Sequence, residues 1–98
     1  MLSYDEAAAP VAVDYAEAVV RLAIIARGVV DAEERLDEVR GAYSQNALRV
    51  EACEDDVRWH RERLDAAAWM VAAVYDVRPS SAVADAALEV ARRGRNDG

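Results

Sequence analysis

The chain has 98 residues, of which 54% are hydrophobic and only 6% aromatic, with no Phe, four Gly and two Pro. This length allows one small domain. The scarcity of Gly and Pro argues against sandwiches and barrels, which need a turn after each short strand, and the high apolar content argues against a disordered chain. We therefore expect an all-α domain.

Acidic residues outnumber basic residues by 19 to 12, which gives a net charge of −7. A face that binds a phosphate backbone must be basic, so we expect no nucleic-acid partner. All twelve basic residues are Arg, a usage typical of GC-rich genomes such as those of actinobacteria and their phages. The apolar run at residues 66–74 is too short for a membrane span of about 20 residues, and the first residues lack the basic and apolar regions of a signal peptide. We expect a cytoplasmic protein, or part of a particle assembled in the cytoplasm, with no membrane partner.

The first nine residues are predicted to form a short arm. Ser3 and Glu6 have the spacing of a capping box, but Pro10 cannot lie inside a continuing helix because it has no backbone N–H. Pro10 fits the first turn of a long helix, which we place at residues 10–43.

Two heptad patterns of similar length fill the middle of the chain, and each predicts one long helix with an apolar seam. The a and d residues are Tyr15, Ala18, Leu22, Ile25, Val29, Ala32, Leu36, Val39 and Tyr43 in the first pattern, and Val50, Cys53, Val57, His60, Leu64, Ala67, Val71 and Val74 in the second. Residues 41–47 between them contain Gly, Ser and Asn, which favour a turn. The sequence therefore predicts an antiparallel helical hairpin with a coiled-coil seam, its second helix at residues 47–78. One unbroken helix through Gly41 is the alternative.

Two polar or reactive side chains, Cys53 and His60, fall on the second seam. A lone seam histidine is most often a core polar group, and no second His or Cys lies at the spacing that a metal site needs. A single cysteine excludes an internal disulfide and behaves as a small apolar residue when buried. Pairing Leu36 with either His60 or Cys53 satisfies the seam equally well, so the register of the hairpin stays open.

A third, shorter helix is predicted at residues 81–93. Pro79 ends the second helix near Val77 or Arg78, and Ser80 or Ser81 then provides an N-cap. The apolar residues of the third helix that share one face are Val83, Ala86, Ala87 and Val90. Gly94 is the expected stop, and residues 95–98 are expected to form a frayed tail.

The hairpin is predicted to expose apolar surface at the end away from its turn. Both helices are apolar beyond their seams there, and a third helix of about 12 residues is too short to cover them. The expected interface residues are Trp59, Trp69, Met70, Tyr75, Val19 and Val20. Trp69 should be buried by the third helix or by a second chain. For Trp59, two interpretations have equal weight: a place in an interface, or packing against Arg side chains of its own helix. We expect the protein to bind itself, another protein, or both.

The acidic residues form one recognisable pattern, Glu33-Glu34-Arg35-Leu36-Asp37 followed by Glu62-Arg63-Leu64-Asp65 and an apolar run. Over residues 31–77 this pattern resembles the MazG-type all-α nucleotide pyrophosphohydrolases, which carry EExxE on one helix and ExxD on the next. The resemblance implies Mg²⁺ as cofactor, with Glu33, Glu34, Asp37, Glu62 and Asp65 as its ligands. The alternative without a metal is that these acids lie on a solvent-exposed helix face and form ion pairs with neighbouring Arg side chains.

These observations favour a non-enzymatic helical interaction or assembly protein, with no catalytic residue and no cofactor. A phage or actinobacterial particle component and a binder of a host factor fit equally well. The alternative is the Mg²⁺-dependent nucleotide pyrophosphohydrolase that the acidic pattern implies. A third interpretation is a small secreted hairpin similar to the actinobacterial ESX proteins, although the turn here lacks their Trp-x-Gly.

Overall fold

A computed structural model describes residues 14–42 and 46–97 of the chain, with side chains described to residue 94. These residues form three helices and no strand, α1 at Tyr15–Ala42, α2 at Ala47–Tyr75 and α3 at Ser80–Asp97. The all-α prediction is confirmed. The predicted arm, the capping box of Ser3 and Glu6, Pro10 and Tyr43 lie outside the described residues.

The two long helices begin at side-chain caps. The Oδ1 atom of Asp14 accepts a hydrogen bond from the backbone N–H of Glu17 at 2.8 Å, and α1 begins at the next residue, Tyr15, rather than at the predicted residue 10. The side chain of Asn46 accepts from the backbone N–H of Arg49 at 3.1 Å and caps α2. Each cap satisfies one of the N–H groups that have no partner in the first turn of a helix.

The connection from α2 to α3 differs in detail from the prediction. Helix α2 ends at Tyr75, before Val77, because Asp76 takes the left-handed conformation (φ 54°) and its N–H bonds the carbonyl of Ala72. Left-handed Asp is a known way of closing a helix. A cis peptide bond precedes Pro79, and the carbonyl of Pro79 accepts from the N–H of Ala82 at 3.0 Å.

Helix α3 is longer than predicted at both ends. It begins at Ser80, so this serine belongs to the helix instead of preceding it, and it continues through Gly94 to Asp97. A Cβ atom added at Gly94 would meet nothing within 4 Å, so this position is open to solvent. A glycine in an exposed turn costs about 1 kcal/mol in helix propensity, which the rest of the helix offsets.

Ion pairs and one ring contact establish that α1 and α2 are antiparallel. Near the turn, a guanidinium nitrogen of Arg35 lies 3.0 Å from a carboxylate oxygen of Asp56, and Arg40 and Glu54 approach to 3.5 Å. At the other end of the hairpin, the rings of Tyr15 and Tyr75 meet edge to face at 5.9 Å. The described chain is therefore a hairpin, not one unbroken helix.

The same pairs settle the register of the hairpin. Because Arg35 pairs with Asp56, the neighbouring Leu36 falls level with the turn of α2 that contains Cys53. His60 lies further along and packs against Gly28 of α1. The open choice is thus resolved in favour of Leu36 opposite Cys53.

The core lies where all three helices meet. Its buried side chains are Val19, Leu22, Ala26, Val29, Leu64, Ala68, Ala72, Val83, Ala84, Ala87, Leu88 and Ala91. Further along α1, towards the turn, Ala32 and Leu36 are buried as well. On the third helix, the predicted Val83 and Ala87 are fully buried and Ala86 and Val90 pack against the core.

The heptad seam of α2 does not continue to its end. Val74 occupies a predicted seam position, yet it is 76% exposed, whereas Ala68 and Ala72 are buried instead. The reason is that α3 packs beside α1, so the buried face of α2 turns away from the two-helix seam to meet both neighbours. This face carries one row of side chains that repeats every four residues, namely Leu64, Ala68 and Ala72.

Helix α3 covers only part of the hairpin. At about 1.5 Å per residue, the 28 residues of α1 extend about 42 Å and the 18 residues of α3 about 27 Å. Arg92 of α3 approaches Glu33 of α1 to 3.6 Å, which places the end of α3 well before the turn. We call the remaining two-helix part, residues 36–42 and 47–62, the hairpin tip.

Candidate functional site

The outward surface of α2 carries a continuous apolar face near the base of the hairpin. The large side chains are Trp69, Met70 and Val74, which are 65%, 66% and 76% exposed. Ala66 and Ala73, also exposed, adjoin them at helical spacings of three and four residues. We call these five residues the α2 apolar face. No charged residue interrupts the sequence from 66 to 75.

Helix α3 leaves the α2 apolar face uncovered. An open cleft of about 460 Å³ runs between the C-terminal turns of α2 and the start of α3, with Trp69, Ala73 and Arg78 among its lining residues. The indole of Trp69 thus borders this cleft and is not covered by α3, contrary to one of the two expectations from the sequence. Burial by a second chain is the expectation that remains.

A second apolar area lies between α1 and α3. Val20 and Ile24, one turn apart on α1, are 55% and 78% exposed. With Val90 of α3 and Arg27 they border a shallow groove of about 340 Å³. Val19, by contrast, is 7% exposed and belongs to the core, so it has no surface to offer a partner.

The two remaining predicted interface residues are partly engaged within the chain. Trp59 is 56% exposed, the guanidinium carbon of Arg63 lies 5.7 Å from its ring centroid, and the His60 ring meets it edge to face at 4.8 Å. The contact with Arg63 is the packing on an Arg side chain that the sequence offered as an alternative. Tyr75 is half-buried against Tyr15.

His60 holds a structural position between the two long helices. Its side chain is 20% exposed, and its Nε2 atom lies 3.5 Å from a carboxylate oxygen of Asp56. A Cβ atom added to Gly28 of α1 would lie 2.8 Å from the His60 Nδ1 atom. The ring therefore occupies the space that a side chain at position 28 would need, and glycine allows this close approach because it has none. Cys53 is a half-buried free thiol.

The five carboxylates of the acidic pattern are not brought together within the described chain. Glu33 faces Arg92 of α3 at 3.6 Å, while Asp37, Glu62 and Asp65 are exposed. Across residues 14–42 and 46–97, no three His, Cys, Asp or Glu side chains form a group that could hold a metal ion. Acids of this part of the chain meet Arg instead, as between Arg35 and Asp56.

Comparison with known proteins provides no relative. No family model, no curated protein and no solved structure matches this chain. Among the described helices, none combines the length and the apolar character that crossing a membrane requires.

Three exposed apolar residues were missed by sequence reasoning. Val74 falls on the predicted seam, and the expected interface includes neither Ile24 nor Leu48, which are 78% and 80% exposed. For Ile24 a sequence pattern exists, because it follows Val20 by one helical turn and lies off the seam. Leu48 lies in the first turn of α2, where no pattern distinguishes an exposed leucine from a buried one.

Proposed function

We propose that this protein is a non-enzymatic helical assembly protein that binds a second copy of itself through the α2 apolar face. The observation that supports this proposal is the row of Trp69, Met70 and Val74, each about two-thirds or more exposed on a face of α2 that α3 does not cover. Contiguous apolar surfaces of this kind mark protein–protein contact sites, and a central Trp is a frequent source of binding energy.

The expected affinity follows from the size of this surface. Burying a large apolar side chain stabilises by about 1.5–3 kcal/mol when it starts fully exposed. Three such residues, about two-thirds exposed in each of two copies, therefore contribute on the order of 10 kcal/mol. Association costs about 4–15 kcal/mol in lost freedom of motion, so the net affinity is modest. We expect association in the micromolar range or weaker.

We assign the protein to the cytoplasm, or to a particle assembled there. This assignment is supported by the Arg-only basic composition, which is typical of actinobacteria and their phages. A phage or actinobacterial particle provides many copies of one chain at high local concentration. Such a setting makes a micromolar self-contact effective.

The experiment is sedimentation velocity over a dilution series from roughly 1 µM to several hundred µM, a range that brackets the expected affinity. The test variant replaces Trp69, Met70 and Val74 by Gln, which keeps helix propensity and removes the apolar surface. The matched control is Leu48→Gln, because Leu48 is 80% exposed and lies near the turn of the hairpin. We expect concentration-dependent association in the wild type and the control, and much weaker association in the triple variant.

Two results would contradict the proposal. One is a wild type that sediments as a monomer throughout the series. The other is a triple variant that associates as strongly as the wild type. In either case the α2 apolar face is not the site of self-association.

A further inference from the structure

An apolar groove between α1 and α3 has no part in the proposed self-association. It is the shallow groove of about 340 Å³ that Val20, Ile24 and Arg27 of α1 border together with Val90 and Gly94 of α3. We call it the α1–α3 groove. Val20 is 55% exposed and Ile24 is 78% exposed, so the groove presents two large apolar side chains that no other described residue covers.

The size of this apolar surface favours an occupant from the same chain. Beside Val20 and Ile24, the groove contains only Ala23, Val90 and Ala91 as apolar side chains, and these are half-buried or buried. A second copy must offset the loss of its overall freedom of motion on binding, which requires a larger surface. A segment of the same chain avoids most of this cost, because the connection holds it near the groove at an effective concentration of about millimolar.

The predicted arm, residues 1–9, precedes the helix that carries the groove. The Asp14 side chain caps the start of α1, and a helix that continued from the arm would lose a hydrogen bond at Pro10. The arm therefore has no reason to extend α1 along its axis. Ile24 lies about 15 Å along α1 from Asp14, whereas the ten residues from Tyr4 to Asp14 can span about 33 Å. The arm is thus long enough to fold back over the groove.

The composition of the arm matches that of the groove. The large apolar side chains of the arm include Leu2 and Tyr4, and its only charged side chains, Asp5 and Glu6, are both acidic. The groove is bordered by Arg27, an exposed residue. Among the residues with described side chains, no ion pair involves Arg27. An apolar and acidic segment is therefore complementary to this groove in both apolar character and charge.

We propose that the arm of each chain binds the α1–α3 groove of the same chain. Leu2 and Tyr4 then pack against Val20 and Ile24, and the acids of the arm lie on the side of Arg27. Because the contact forms within one chain, it does not depend on protein concentration, and it leaves the α2 apolar face open to a second copy.

The first test locates the arm in the full chain by photo-crosslinking. The photoreactive residue benzoylphenylalanine replaces Tyr4, and the protein is irradiated at about 1 µM, the low end of the dilution series, where the expected affinity leaves few copies associated. A denaturing gel separates monomer from crosslinked dimer, and mass spectrometry identifies the crosslinked residue. We expect crosslinks within the monomer to Ile24 or to its neighbours in the α1–α3 groove.

Three results of this experiment would overturn the proposal. Crosslinks within the monomer to the α2 apolar face would show that the arm covers that face instead. Crosslinks found only in the dimer would show that the arm contacts a second copy. Crosslinks without a preferred position, or none, would show that the arm binds no surface of the chain.

The second test is a double-mutant cycle followed by urea unfolding at the same low concentration. In the wild-type chain, Ile24→Gln removes an apolar side chain that the arm covers, so we expect the unfolding constant to rise about tenfold. In a chain that carries Leu2→Gln and Tyr4→Gln, the arm no longer binds and Ile24→Gln should have little effect. The matched control is Leu48→Gln in the hairpin tip, at an 80% exposed position, which should have little effect in both chains.

Equal effects of Ile24→Gln in the two chains would contradict the arm contact. The α2 apolar face is intact in all these variants, and we expect them to associate as the wild type does in sedimentation velocity. Failure of the arm contact in the cycle, with association unchanged, therefore leaves the proposed function standing. Conversely, a wild type that remains a monomer in sedimentation would overturn the proposed function and leave the arm contact standing.

Discussion

The contact between Gly28 and His60 gives the sharpest stability prediction, the effect of Gly28→Ala. In a helix interior, replacing Gly by Ala stabilises by about 1 kcal/mol through helix propensity. At Gly28, however, the new methyl group would lie 2.8 Å from the His60 Nδ1 atom and 3.2 Å from its Cε1 atom, well inside contact distance. Moving the ring away would break its edge-to-face contact with Trp59 and its approach to Asp56.

Forcing an extra methyl group into such a site typically costs about 1–3 kcal/mol. Subtracting the propensity gain leaves Gly28→Ala between neutral and about 2 kcal/mol less stable than the wild type. The control is Gly41→Ala, where the added Cβ would meet nothing within 4 Å. That variant is expected to gain about 0.5–1 kcal/mol.

The assay is urea unfolding followed by circular dichroism, at one fixed protein concentration because self-association also stabilises. A second measurement repeats Gly28→Ala in a His60→Ala background, where the ring is gone. There Gly28→Ala should stabilise as Gly41→Ala does, which completes a double-mutant cycle. The explanation is refuted if Gly28→Ala stabilises the wild type as much as Gly41→Ala does.

Three further predictions concern the core, a cap and the acids. Leu64→Ala removes a fully buried side chain and should cost about 2–5 kcal/mol in urea unfolding, whereas Leu48→Ala, at an 80% exposed position, should change stability by less than about 0.5 kcal/mol. Asp14→Ala removes the cap of α1 and should cost about 1 kcal/mol, whereas Asp14→Asn, which retains a capping side chain, should cost much less in the same assay. In thermal melts, millimolar Mg²⁺ should leave the midpoint unchanged, since the described acids form no metal group; a rise that Glu62→Ala abolishes would instead support the nucleotide pyrophosphohydrolase.

The sequence was sufficient for the architecture because large aliphatic residues recur with the helical period. Leu22, Val29 and Leu36 fall on the predicted seam of α1 and are all buried, as is Leu64 on α2. Heptad spacing predicts the burial of these residues correctly, because a and d residues face the partner helix in any antiparallel pair.

The sequence was insufficient where alanine carries the packing. Ala26, Ala68 and Ala72 are buried where α3 meets the hairpin, but Ala occurs on every face of these helices, so its positions show no period. The interpretation of Val74 as a seam residue failed for this reason. The side on which α3 packs decides which row of α2 is buried, and heptad spacing contains no information about a third helix.

The candidate surface was predicted in part. Trp69, Met70 and Val20 were expected to be available to a partner, and all three are more than half exposed. The register and the pairing of charges, such as Arg35 with Asp56, could not be obtained from spacing alone. Exposed ion pairs are individually worth at most about 1 kcal/mol, so the pairing of charges in the sequence does not select one register.

The most direct test of the central claim is the environment of Trp69 as the protein associates. In a Trp59→Phe variant, Trp69 is the only tryptophan, and its fluorescence can be recorded over the dilution series used for sedimentation. Trp69 is 65% exposed in the single chain, so dilute protein should emit at the long wavelength of a hydrated indole. We predict a shift to shorter wavelength, with reduced quenching by acrylamide, over the same concentrations at which the mass increases. An emission that stays at long wavelength while the mass increases would show that copies associate elsewhere and would contradict the account.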